Sequence, residues 1–186
     1  MRRVLVIGSG GAGKTTLARR IAAATGLPLI HLDALYWHPG WRATPNDEWD
    51  RVITGLCARE AWVMDGNYGR TLPVRLAACD TVVFLDTPRW RCLWRVIRRR
   101  MQYALRQRPD LPAGCRDRLT WEFVQWVWSY PKRRRPGVLL GVAAAARHAR
   151  VVVLRDARDV EAFLVGLRAP SGARGVGTGA PRCDVV

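Results

Sequence analysis

The sequence predicts an α/β fold: a three-layer α/β/α sandwich on a five-stranded parallel sheet, over one domain, residues 1–168, with residues 169–186 as a disordered tail. Three observations carry this. Short β-branched apolar runs alternate with helical patterns along the chain. The first run feeds directly into Gly8-Ser9-Gly10-Gly11-Ala12-Gly13-Lys14-Thr15, a full match to the spacing G-x-x-x-x-G-K-[ST]. Hydrophobic residues make up 49% of a 186-residue chain, enough for one buried core.

The elements follow in order. Val4 to Ile7 suits a strand buried on both faces. After the glycine loop, Leu17, Ile21 and Ala24 recur at helical spacing, and Gly26 ends that helix. Leu27 to Leu32 reads as a second strand, with Asp33 at its end. Tyr36-Trp37-His38-Pro39-Gly40-Trp41 reads as an aromatic loop. Thr44 reads as a helix cap before Pro45, with Asp47 and Glu48 in the first turn and the helix running to about Arg59. Ala61 to Met64 is a third strand, closed by Asp65-Gly66-Asn67. A short helix over Thr71 to Ala78 leads to a fourth strand, Thr81 to Leu85, closed by Asp86. A basic helix from Pro88 to about Arg106 and an aromatic helix from about Arg116 to Tyr130 come next. A further helix from Pro136 to about His148 precedes a fifth strand, Val151 to Leu154. A helix from Asp159 to Leu167 closes the domain.

The glycine loop carries the chemistry. Its glycines let successive N–H groups converge on one point, and the following helix adds its positive end. This predicts that Gly8, Ser9, Gly10, Gly11, Ala12, Gly13, Lys14, Thr15 and Thr16 hold the phosphates of ATP. Lys14 brings a point charge to the β- and γ-phosphates, and the Thr15 hydroxyl is placed to ligate Mg²⁺. Lys14 and Lys132 are the only lysines among 31 basic residues. A flexible ammonium fits this cradle where a planar guanidinium does not.

The net charge is +16, and it is uneven. Residues 88–135 hold thirteen arginines and Lys132 against Asp110, Asp117 and Glu122, a net +11. Nucleotide phosphates, nucleic acid or an acidic surface would suit that stretch; so would an arginine-rich composition with no specific partner. Trp121, Trp126 and Trp128 beside Lys132 to Arg135 read either as a nucleic-acid stack or as the apolar face of a packed helix, and packing is the favoured reading. No apolar run reaches the length of a membrane helix. The five cysteines form no C-x-x-C pair, which points to a reducing, cytoplasmic home.

Several segments together resemble a known family. They are the glycine loop, His31-Leu32-Asp33, Tyr36 to Trp41, Trp62-Val63-Met64-Asp65-Gly66-Asn67-Tyr68, Ala78 to Asp86, and Leu154-Arg155-Asp156. The match resembles the DNA topology modulation proteins, relatives of adenylate kinase, over about residues 3–168. The resemblance implies a P-loop NTPase fold with sheet order 2-3-1-4-5, nucleotide-kinase-like, with a short basic lid between Gln107 and Arg116. It implies phosphoryl transfer from ATP to a nucleotide or other small-molecule acceptor. Asp65 then holds Mg²⁺, with Asp86 as its rival. Asp33 orients or deprotonates the acceptor, or merely caps its turn. Arg95 and Arg99 stabilise the transferring phosphate. Trp37, Trp41, Asn67 and Arg70 meet the acceptor, and Arg155 lies near the nucleobase. The alternatives are an ATP-dependent nucleic-acid-binding regulator of DNA topology and a nucleotide-binding protein without catalysis.

Overall fold

The computed structural model describes residues 1–103, 115 and 119–168. The predicted tail, and the predicted lid apart from Cys115, lie outside the described residues.

Five strands form one sheet: β1 (Arg3–Gly8), β2 (Leu29–His31), β5 (Trp62–Asp65), β6 (Thr81–Leu85) and β7 (Arg150–Leu154). Their order is β2-β5-β1-β6-β7, and every pairing is parallel. Counting only these strands, this is the expected order 2-3-1-4-5. The period of two along β1 splits the core. Leu5 and Ile7 join Met64 and Phe84 under α3 (Asn46–Cys57), α4 (Leu72–Ala78) and α7 (Arg135–Ala145). Val4 and Val6 join Val63 and Val83 under α1 (Lys14–Thr25) and α8 (Ala157–Arg168), with Cys92 of α5 (Arg89–Gln102) and Val127 of α6 (Trp121–Arg133). Both faces of β1 are therefore covered, which is why its sequence is a continuous apolar run.

Three local expectations are corrected. The aromatic loop is a short helix α2 (Leu32–Tyr36) followed by a hairpin of β3 (Trp37–His38) and β4 (Arg42–Ala43). Its turn places Gly40 at φ +78° and Trp41 at φ +64°, a left-handed conformation rare for a bulky residue. Thr44 does not cap α3. Its hydroxyl donates across the hairpin to Tyr36 O at 2.7 Å, and Pro45, with φ −54°, starts the helix instead. The apolar face of α6 is also rotated from the expectation. Trp121 and Trp128 are exposed, while Val127 and Tyr130 are buried with Phe123 and Trp126 against the core. Among the described residues no helix is long and apolar enough to cross a membrane.

Candidate active site

The phosphate loop, Asp33 and Asp65 lie at the carboxyl ends of the strands. β1 ends in Gly8, β5 in Asp65, β2 in His31 and β6 in Leu85, and α1 starts from Lys14. Gly11 and Gly13 are left-handed, at φ +77° and +101°. A side chain at Gly11 would strike the Cys92 carbonyl oxygen. A Cβ on Gly10 would lie 2.9 Å from Phe123, 3.1 Å from Val127 and 3.2 Å from Trp126. Helices α5 and α6 thus clamp the outside of the loop and need glycine there.

The inside of the loop is arranged for an anion. Gly13 begins α1 with no side-chain cap and no acidic residue in the first turn, so its N-terminal N–H groups and dipole are left for a ligand. Lys14 Nζ donates to Gly8 O at 3.0 Å and Ser9 O at 2.8 Å. Burial holds its pKa below the usual lysine value, an effect opposed by the nearby carboxylates of Asp33 and Asp65 and reinforced by Arg99. Lys14 therefore sits within electrostatic reach of Asp33, Asp65 and Arg99.

Asp65 is buried and pairs in register with Val6 of β1 and His31 of β2. His31 Nδ1–H donates to Asp65 Oδ1 at 2.6 Å. The sequence reading treats His31 as packing; the structure makes it the partner that orients Asp65. Asp86 is engaged elsewhere, in a bidentate pair with Arg135 at 2.8 and 2.7 Å that anchors the start of α7. Thr15, in the first turn of α1, and Asp65, at the end of β5, carry oxygen ligands of the kind Mg²⁺ takes. A cavity of about 380 Å³ runs outward from Ala12, Gly13 and Thr16, between Arg95, Arg99 and Trp94 on one side and Arg155 on the other. Arg95 Nη1 also donates to Ala12 O at 2.9 Å, which ties this arginine to the loop.

The predicted acceptor residues divide. Asn67 Oδ1 accepts from Gly8 N at 3.3 Å, so the segment after β5 touches the first residue of the loop. Asp33 accepts from the Tyr68 hydroxyl at 2.7 Å. Trp37 and Trp41 pack edge-to-face at 5.3 Å on the hairpin, and Trp37 lies 4.9 Å from Tyr36. Cys115 donates to His38 O of the same hairpin at 3.1 Å. Arg70 lies on the surface in a bidentate pair with Asp50 at 3.2 and 2.5 Å.

Arg75, five residues on, is fully buried and was not singled out. Its guanidinium donates to Gly66 O at 2.9 Å, Tyr68 O at 2.5 Å and Thr71 O at 3.4 Å, with burial pushing its pKa down to about 10. It braces from below the segment that carries Asn67. The available signal was position: Arg75 falls three residues after Leu72, on the helix face shared with Leu76.

No family model matches this chain, and no curated protein matches it by sequence. Solved structures do match by fold. A shikimate kinase from Acinetobacter baumannii in complex with shikimate aligns with a TM-score of 0.56 and 18% identity over 90% of both chains. A gluconokinase from Sinorhizobium meliloti 1021 aligns with a TM-score of 0.51 and 19% identity, over 90% of this chain and 93% of that one. The chain has the fold of the P-loop small-molecule kinases.

Proposed function

We propose that the protein is an ATP-dependent phosphotransferase acting on a small hydroxylated acceptor. The observation that carries this is the uncapped, glycine-shaped start of α1, with Lys14 held on the loop carbonyls and Asp65 at the end of the neighbouring strand. Loop N–H groups and Lys14 hold the triphosphate, and Arg95 and Arg99 meet the charge that spreads over the γ-phosphoryl group. Thr15 and Asp65 would hold Mg²⁺, which neutralises phosphate charge when bound. The acceptor hydroxyl oxygen bonds to the γ-phosphorus as the bond to the β,γ-bridging oxygen breaks. ADP leaves with that electron pair, and the hydroxyl proton passes to the Asp33 carboxylate. Fold and site support this equally for a nucleotide and for another small acceptor. The resemblance to the DNA topology modulation proteins is a finer reading that rests on the quoted sequence segments alone.

The test is ADP release from Mg-ATP against a panel of nucleoside monophosphates, nucleosides and hydroxylated metabolites, with Lys14→Ala as control. Stimulation by one acceptor, lost in Lys14→Ala, is the expected result. ATP binding without stimulation by any acceptor would leave a nucleotide-binding protein without catalysis.

A second reading has its own observation. Trp90 and Trp94 on α5 are more than half exposed, at 61% and 57%, with Arg91 and Arg98 lying 5.0 and 5.2 Å from their ring centroids. Arg89 lies 4.0 Å over Trp128. Rings beside cations suit single-stranded nucleic acid, where bases stack and phosphates pair. Binding that falls steeply with salt and is weakened by Trp90→Ala supports it; salt-independent binding rejects it.

A further inference from the structure

A second cavity lies on the far side of the phosphate loop from the nucleotide cavity. Helices α4, α6 and α7 frame a groove of about 550 Å³. Helix α4 follows β5 in the chain, and Arg135 ties the start of α7 to Asp86 just past β6, so the groove begins at the ligand-binding edge of the sheet. His148, hydrogen-bonded to Leu76 O at 3.0 Å, closes the lower end. The floor is apolar, with Leu72, Leu76 and Val138 beside the open backbone of Gly137. Among the described residues no carboxylate lines it.

The mouth differs from the floor. Asn67, bonded to Gly8 N, and Trp126, packed on Gly10, both line the groove and both touch the phosphate loop. Arg133 and Arg134 stand exposed at this end, and neither forms an ion pair among the described residues. Two buried polar atoms on its lining residues have no partner among the described residues: Asn67 Nδ2 and the Tyr130 hydroxyl. Each such group is costly until something pairs with it. Burial pushes the Tyr130 phenol up to about 12, so it remains a hydrogen-bond donor near neutral pH.

We propose that this groove holds the phosphoryl acceptor, and that the acceptor is a ring-bearing hydroxy compound with one carboxylate or phosphate group. This rests on the kinase reading above and narrows its substrate class. The ring lies on the apolar floor, the anion meets Arg133 and Arg134, and polar substituents pair with Asn67 and Tyr130. The reacting hydroxyl points to the loop beside Asn67. Past Asn67 its proton passes to Asp33, whose carboxylate is held by the hydroxyl of the next residue, Tyr68. An open-chain polyol acid lacks the flat apolar surface this floor rewards.

Gly137→Leu tests it. A Cβ at Gly137 meets nothing within 4 Å, so leucine enters the groove without displacing backbone, and helix α7 gains a better helix former. Shikimate is the ring-bearing probe and gluconate the open-chain probe, read by calorimetric titration and by ADP release, with ATP binding and Tm measured alongside. Shikimate should bind the wild type more tightly than gluconate does. Gly137→Leu should keep its Tm and lose shikimate binding at least tenfold. Tyr130→Phe should weaken shikimate about three- to tenfold, and Arg134→Gln about tenfold. If Lys14→Ala leaves ATP affinity unchanged, the kinase reading itself fails. If Lys14→Ala weakens ATP binding while shikimate binds wild type and Gly137→Leu alike, or does not bind at all, the groove assignment is overturned and the kinase reading stands.

Discussion

His31 and Asp65 face each other in register across β2 and β5, and the imidazole donates to the carboxylate at 2.6 Å. One oxygen of Asp65 is thereby fixed. Second partners of this kind orient a metal ligand, and their loss typically costs about 10- to 100-fold in metal affinity or activity. His31→Ala should raise the Mg²⁺ concentration needed for half-maximal turnover about tenfold, with little change in ATP binding measured without metal. Asp65→Asn should be more severe. A Mg²⁺ dependence unchanged in His31→Ala would remove His31 from the site.

Lys14 gives a pH prediction. Burial lowers its pKa below the ordinary lysine value, so the ammonium is disfavoured in the free protein. In the free protein this is a stability penalty, full below the depressed pKa and relieved as pH rises toward the ordinary value. Phosphates placed against the ammonium favour the charged form and raise that pKa. ATP binding should therefore take up protons in the alkaline window between the depressed and ordinary values, and affinity should fall as pH climbs through it. Titration calorimetry in buffers of different ionisation heat measures the uptake. Lys14→Met carries no titrating group at this position and should show none of that uptake.

Gly11 is constrained twice, by φ +77° and by the Cys92 carbonyl at the place of a Cβ. The left-handed conformation alone costs a non-glycine residue about 1–2 kcal/mol. Gly11→Ala should lower Tm by at least about 4 °C, since each kcal/mol moves a domain of this size by about 2–4 °C. Gly137→Ala, in open space on α7, is the control and should not destabilise. Equal Tm values for the two variants would contradict the account of the loop as clamped by α5.

The parts legible in the sequence are those set by local rules. The glycine loop, the five strands and their register with the core follow from spacing and from apolar runs covered on both faces. The hairpin at Trp37 to Ala43 was not legible, because its turn depends on Trp41 taking a left-handed conformation that its side chain disfavours. The exposed side of α6 is not legible either. Trp121 and Trp128 look like core by composition, but Gly10 admits Phe123, Trp126 and Val127, and that contact sets the rotation of the helix. His31 and Arg70 show the same limit at the site. Their partners, Asp65 and Asp50, lie 34 and 20 residues away, beyond any local pattern.

Arg75 gives the clearest stability prediction. It is a buried cation whose donors all go to main-chain carbonyls, those of Gly66, Tyr68 and Thr71. Its role is to satisfy a stretch of backbone that leaves β5 without forming regular structure. Methionine has a similar reach and no donors, so Arg75→Met would strand all three acceptors in the interior. At about 1 kcal/mol or more for each, the loss is about 3 kcal/mol, and Tm should fall by about 6–12 °C. The position of the segment matters for function too, because Asn67 lies within it and reaches Gly8. Arg75→Met should therefore weaken acceptor-stimulated turnover at temperatures well below its Tm, while Arg70→Met, which removes only the exposed pair with Asp50, should shift Tm by no more than about 2–4 °C. Equal effects from the two substitutions would mean that the bonds from Arg75 to the loop are incidental to the fold.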